Sequence, residues 1–136
     1  MKNIFLKAVM VTAGLVTAQL TFAANCSGTI SNNAAGSLTV PAGSTCTLNG
    51  TAVEGSVTVQ KGASLVLSNS SVSGNVQAST AKSVKLINSS VEGDVQAPST
   101  LSLDKAMITG NLYCSSVTKL QSSNSMIEGK TVGKCK

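Results

Sequence analysis

The chain has 136 residues, of which 42% are hydrophobic and only 2% aromatic, with neither Trp nor His. That length fits one domain, and the apolar content excludes intrinsic disorder. All ten basic residues are Lys and there are five acids, for a formal charge of +5, so chemistry that needs an imidazole base, a His-ligated metal or a guanidinium clamp on phosphate is excluded.

In chain order the first expected element is a secretory signal peptide over residues 1–23. Lys2 and Lys7 flank an apolar run from Ala8 to Leu20 that ends at Thr21, Phe22 and Ala23, the layout of an export leader cleaved after a small residue. The run is short for the ~20 residues of a membrane span, so no span is expected after cleavage. Cys26 lies near the cut, but Ala24 and Asn25 before it do not form a lipobox. Residues 24–136 then carry eight Lys and five acids, a net charge of +3, and keep Tyr113 as their only aromatic side chain. Stacking platforms for sugars or single-stranded nucleic acid are therefore absent, and with no Arg and no recognition helix no nucleic-acid partner is expected.

The remainder is a repeat. Val53-Glu54-Gly55-Ser56-Val57 recurs 19 residues on as Val72-Ser73-Gly74-Asn75-Val76, again as Val91-Glu92-Gly93-Asp94-Val95, then after 17 as Ile108-Thr109-Gly110-Asn111-Leu112 and after 19 as Ile127-Glu128-Gly129-Lys130-Thr131. A weaker copy around Gly36 places Ala34 and Leu38 at the flanking apolar positions. Ten and twelve residues after the glycine come Cys46 and Leu48, Leu65 and Leu67, and Val84 and Leu86, with Leu101 and Leu103 slightly early. Alternation of apolar and small polar residues is the period of strands with one face inward, and no segment after Ala23 has helical periodicity. Coils of 19 residues are too short for a propeller blade and lack the helix of a leucine-rich repeat, which leaves an all-β, single-domain parallel β-helix (solenoid) of about five to six coils over residues 24–136. At ~4.8 Å per coil it would form a rod of roughly 25 Å.

Asn69, Asn88, Lys105 and Asn124 share a repeat position, where Asn tolerates the left-handed backbone of a sharp corner. The sequons at Asn25, Asn49, Asn69 and Asn88 are read as corner chemistry rather than as glycosylation sites. The two-residue deletion before Leu101 contains Pro98 and predicts a tightened corner with an intact strand. Residues 24–33 depart from the repeat and are expected to lie across the first coil as a lid.

Four cysteines, Cys26, Cys46, Cys114 and Cys135, stand in a chain with no His and no CxxC spacing, which reads as two disulfides rather than a metal site. Three pairings are possible. Cys26 and Cys46 are 20 apart and Cys114 and Cys135 are 21 apart, so each pair falls on neighbouring coils. Any long pairing would cross several coils and exceed the ~7 Å reach between Cα atoms.

Gly-Asn-Val-Gln-Ala at 74–78, Gly-Asn-Leu-Tyr-Cys at 110–114, Gly-Lys-Thr-Val-Gly-Lys-Cys at 129–135 and Cys-Thr-Leu at 46–48 resemble the motifs of a group of small secreted bacterial β-helix proteins of unknown function. The resemblance implies export, a solenoid and the same cysteine placement, but supplies no activity. The repeat alone is also similar to that of bactofilins, cytoskeletal β-helices that polymerise end to end, from which this chain departs in its leader and its terminal cysteines.

Large secreted β-helices include polysaccharide lyases and hydrolases, so the acids Glu54, Glu92, Asp94 and Glu128 form a candidate carboxylate ladder. Glu54 and Glu92 lie two coils apart, about 9.6 Å, at the upper end of the separation used by inverting glycosidases. Ser73 and Thr109 occupy the alternate coils, which instead suits solvated carboxylates kept from direct repulsion. Asp94 between Asn75 and Asn111 offers one carboxylate, too few for calcium, and the outward Thr39 and Thr58 are followed by Gln77, Gln96 and Tyr113, which ends a Thr ladder of the ice-binding kind. The expected function is a non-enzymatic, secreted or periplasmic structural or surface-interaction solenoid, with no cofactor, no metal, an unknown cell-envelope or extracellular partner, and a monomeric or small-oligomeric state. The alternative is a small carbohydrate-active β-helix that binds or hydrolyses polysaccharide.

Overall fold

The computed structural model describes residues 24–115 and 118–135; the leader assigned to residues 1–23, and Lys136, lie outside them. The alternating pattern forms strands throughout, with no helix among the described residues. The strands fall into three parallel sheets, one visited after another in each turn of the chain. The first sheet holds Ala24–Asn25 (β1), Leu38–Val40 (β4), Val57–Val59 (β7), Val76–Gln77 (β10), Val95–Gln96 (β13), Leu112–Cys114 (β16) and Thr131–Gly133 (β19). The second has the longest strands: Thr29–Ser31 (β2), Thr45–Asn49 (β5), Ser64–Ser68 (β8), Ser83–Ile87 (β11), Thr100–Asp104 (β14) and Lys119–Ser123 (β17). The third holds Ala34–Ala35 (β3), Ala52–Val53 (β6), Ser71–Val72 (β9), Ser90–Val91 (β12), Met107–Ile108 (β15) and Met126–Ile127 (β18). The protein is thus a parallel β-solenoid of five full turns preceded by a short one.

Register follows the 19-residue period because a slip of one residue would turn every apolar side chain outward. Val57 pairs with Val76 and Val76 with Val95; Leu65 and Leu67 pair with Val84 and Leu86, and these with Leu101 and Leu103; Val53, Val72, Val91 and Ile108 form the inner column of the third sheet. All of these side chains are buried, each contributing about 1.5–3 kcal/mol through removal from water. The tightened corner is present as expected. In the coil before it, Ala78 to Ala81 make a turn closed by the Ala81 N–H on the Ala78 carbonyl at 3.0 Å. The shortened coil passes through Ala97, buried Pro98 and Ser99 instead, and Thr100–Asp104 keeps all five pairings with Ser83–Ile87.

Three expectations are corrected. Residues 24–33 are no lid: β1, β2 and the following β3 pair in parallel with β4, β5 and β6, so they form a coil of their own. That coil is invisible to a 19-residue search because Ala24 lies over Leu38, only 14 residues on. Within it Ala35, not Ala34, pairs with Val53, and Ala34 is exposed. Gly36 keeps the 19-residue spacing while the apolar position before it moves by one. Finally, Asn49 is not a corner; it ends β5, and Gly50 makes the turn at φ +67°.

Both disulfides have the expected pairing, Cys26–Cys46 and Cys114–Cys135, each with a Cα–Cα distance of 5.4 Å. The first lies in the core, with Cys26 2% and Cys46 0% exposed, whereas Cys114 and Cys135 are half-buried.

Candidate functional site

The chemistry-bearing side chains sort by corner. At the turn from the third sheet to the first, the repeated glycines stack on one another. A Cβ on Gly74 would lie 2.7 Å from the Gly55 carbonyl oxygen, and one on Gly93 would lie 2.6 Å from that of Gly74. The glycine column therefore exists to let backbones approach closely. The residue after each glycine extends the stacking with its side chain: Ser37 Oγ accepts from the Ser56 N–H at 3.3 Å, Ser56 Oγ from Asn75 at 3.1 Å, Asn75 Oδ1 from Asp94 at 2.7 Å, Asp94 Oδ1 from Asn111 at 2.8 Å, and Asn111 Oδ1 from Lys130 at 2.8 Å. Asp94, a candidate acid by sequence, is one rung of this backbone-satisfying ladder.

Glu54, Glu92 and Glu128 sit one residue before the glycines and are exposed. Their N–H groups bond to the coil before, Glu54 to Ala35, Glu92 to Val72 and Glu128 to Ile108, and Ser73 and Thr109 fill the alternate coils in the same way. The carboxylates are thus spaced by hydroxyl residues along one edge of the rod. Among the described residues no group of three or more His, Cys, Asp or Glu is placed to hold a metal ion.

The corner at the other end of the short third-sheet strands carries the concavity. Where the second sheet turns into the third, Asn32, Gly50, Asn69, Asn88, Lys105 and Asn124 all take left-handed backbone, with φ between 49° and 67°, so the corner ladder read from four residues in sequence has six members. The next residue turns inward. Ser70 Oγ donates to the Leu48 and Ser68 carbonyls at 3.0 and 2.9 Å and accepts from the Thr51 N–H at 3.0 Å; Ser89 Oγ donates to Ile87 at 2.7 Å and accepts from Ser70 at 3.1 Å. Buried hydroxyls here satisfy the backbone groups that the sharp corner leaves unpaired.

Between the corner ladder and the outward column of the third sheet runs an open groove of about 660 Å³. Asn69, Asn88 and Lys105 form one wall and Ser71, Ser90 and Met107 the other. Spanning four coils, it is roughly 14 Å long at ~4.8 Å per coil. The Asn88 Nδ2 donates to Asn69 Oδ1 at 2.6 Å. None of Glu54, Glu92, Asp94 or Glu128 lines the groove; its only ionic side chain is Lys105. The Asn positions were legible in the repeat. The groove was not, because Ser71 and Ser90 become its second wall only when the third sheet is placed beside the corner.

No protein-family model, curated protein or solved structure matches the chain.

Proposed function

We infer that the protein is an exported, non-enzymatic β-solenoid, a structural or surface-interaction module acting on a partner in the cell envelope or outside the cell. The observation that carries this reading is where the polar side chains are spent. Asp94, Ser70 and Ser89 are bonded to backbone groups of the neighbouring coils, and none of the three exposed Glu lines the groove. Two disulfides support an oxidising compartment, in keeping with the leader read in residues 1–23 and with the resemblance to small secreted β-helix proteins. In this reading the chain is a monomer or small oligomer and works as a rigid display surface.

The test is a panel of polysaccharides incubated with the exported protein and analysed for products. No turnover is expected. Turnover abolished by Glu54→Gln or Glu92→Gln would overturn the reading in favour of a hydrolase. Fractionation of cells with a specific antibody should place the protein outside the cytoplasm.

A further inference from the structure

We propose that the groove beside the Asn69–Asn88 pair binds a linear glycan in which acidic sugars alternate with acetamido sugars, with Lys105 receiving the carboxylate. The proposal rests on the non-enzymatic reading above and names its partner class and site.

Two independent observations converge on Lys105. Of the six left-handed corners, four are Asn and one is Gly, the residues that accept this backbone at little cost. Lys105 is the exception, held at φ +55°. A residue kept in a sparsely populated conformation at a position where its equivalents are Asn points to a use for its side chain. Lys105 is also the only ionic side chain that lines the groove. Glu54 and Glu92 stand two residues beyond the groove-lining Ala52 and Ser90 and do not line it, while Lys85 is exposed on the second sheet in the same coil as Asn88. Asp104, the one acid beside the corner, ends β14 and does not line the groove.

The walls define the rest of the ligand. The Asn88–Asn69 bond leaves the Asn69 amide nitrogen as a donor and the Asn88 carbonyl as an acceptor, the complement of an acetamido group's C=O and N–H. Ser71 and Ser90 add hydroxyls on the facing wall, whereas Ser70 and Ser89 on the floor are already bonded to the backbone. One cation in four coils suits a chain whose carboxylates are spaced by neutral sugars rather than one with an acid on every residue. An extended peptide is a poorer fit, because β5, β8 and β11 and the third-sheet strands beside them already have a neighbour on each side and offer no edge to augment. Bases would find no aromatic face in the groove.

The probe is a set of short hyaluronan oligomers, titrated into isotopically labelled exported protein and followed by amide chemical shifts, including the side-chain amides of Asn69 and Asn88. Shifts confined to the groove are expected, and affinity should fall as salt is raised. Lys105→Asn replaces the exception with the ladder's own residue and relieves the backbone, so it should melt no lower than the parent while binding about tenfold or more weakly. Lys85→Asn should bind as the parent does. Oligomers whose carboxylates have been reduced, and neutral N-acetylglucosamine oligomers, should lose affinity as Lys105→Asn does. Absence of binding, unchanged binding by Lys105→Asn, or equal binding of the neutral oligomers would overturn the site and leave the non-enzymatic reading standing. Cleavage of the oligomer would overturn that reading as well.

Discussion

Residues that look interchangeable in the repeat differ sharply in what they contact. Val72 is fully buried in the inner column of the third sheet and Ser73, its neighbour, is exposed. Val72→Asp should therefore cost more than about 3 kcal/mol by burying an unpaired carboxylate, while Ser73→Asp should cost no more than about 1 kcal/mol, from repulsion by Glu54 and Glu92 on the neighbouring coils. The glycines divide in the same way: a Cβ on Gly93 meets the Gly74 carbonyl, but one on Gly36 meets nothing within 4 Å. Gly93→Ala should lose about 1–3 kcal/mol through forced separation of the coils, and Gly36→Ala should be nearly neutral. Thermal melts of the four variants check both contrasts, and equal melting of either pair would show that the inward face or the stacking is misassigned.

At the scale of the element, the two staples are unequal. Each closes a loop of similar length, with sequence separations of 20 and 21, so constraint of the unfolded chain alone would give each about 3 kcal/mol. Their surroundings differ. Cys26–Cys46 is sealed in the core under the short first coil, whereas Cys114–Cys135 joins half-buried residues at an end where β17, β18 and β19 bury little. Mild reductant without denaturant should open Cys114–Cys135 first, read by alkylation and mass spectrometry. Hydrogen exchange should then rise in β17 to β19 while β8, β11 and β14, which lie inside the second sheet, stay protected. Simultaneous loss of both bridges would mean that the C-terminal coil is no weaker than the rest.

For the whole molecule, the finding that residues 24–35 form a coil moves the question of growth to the rod's two ends. An uncovered β-helix end exposes strand edges that template further stacking unless they are short or charged. The described strands at the N-terminal end are short, two or three residues each, and no charged residue occurs between Ala24 and Val53. The other end carries Lys119, Lys130 and Lys134, edge charges that stacking of another copy would strip of water. Short strands at one end and edge lysines at the other oppose growth, and the expected result of light scattering and electron microscopy on oxidised protein is a monomer or small oligomer. Regular filaments would overturn this and bring the protein closer to the bactofilin-like polymers its repeat resembles.

The chain's own pattern determined the architecture because a solenoid is local: each residue's neighbours are the residues one period away, so a repeat of 19 with apolar flanks specifies register, inward face and disulfide partners together. The inner Val, Leu and Ile columns, the tightened corner at Pro98 and the left-handed Asn69, Asn88, Lys105 and Asn124 were all legible on that ground. Where the period changes, the reading failed, as in the 14-residue step from Ala24 to Leu38 that disguised a coil as a lid and shifted Ala34 for Ala35. What only the tertiary structure decided is lateral. Which columns stand side by side around the rod depends on how the chain bends at each corner, and no spacing in the sequence encodes it. That bending set Ser71, Ser90 and Met107 beside Asn69, Asn88 and Lys105 as the two walls of one groove.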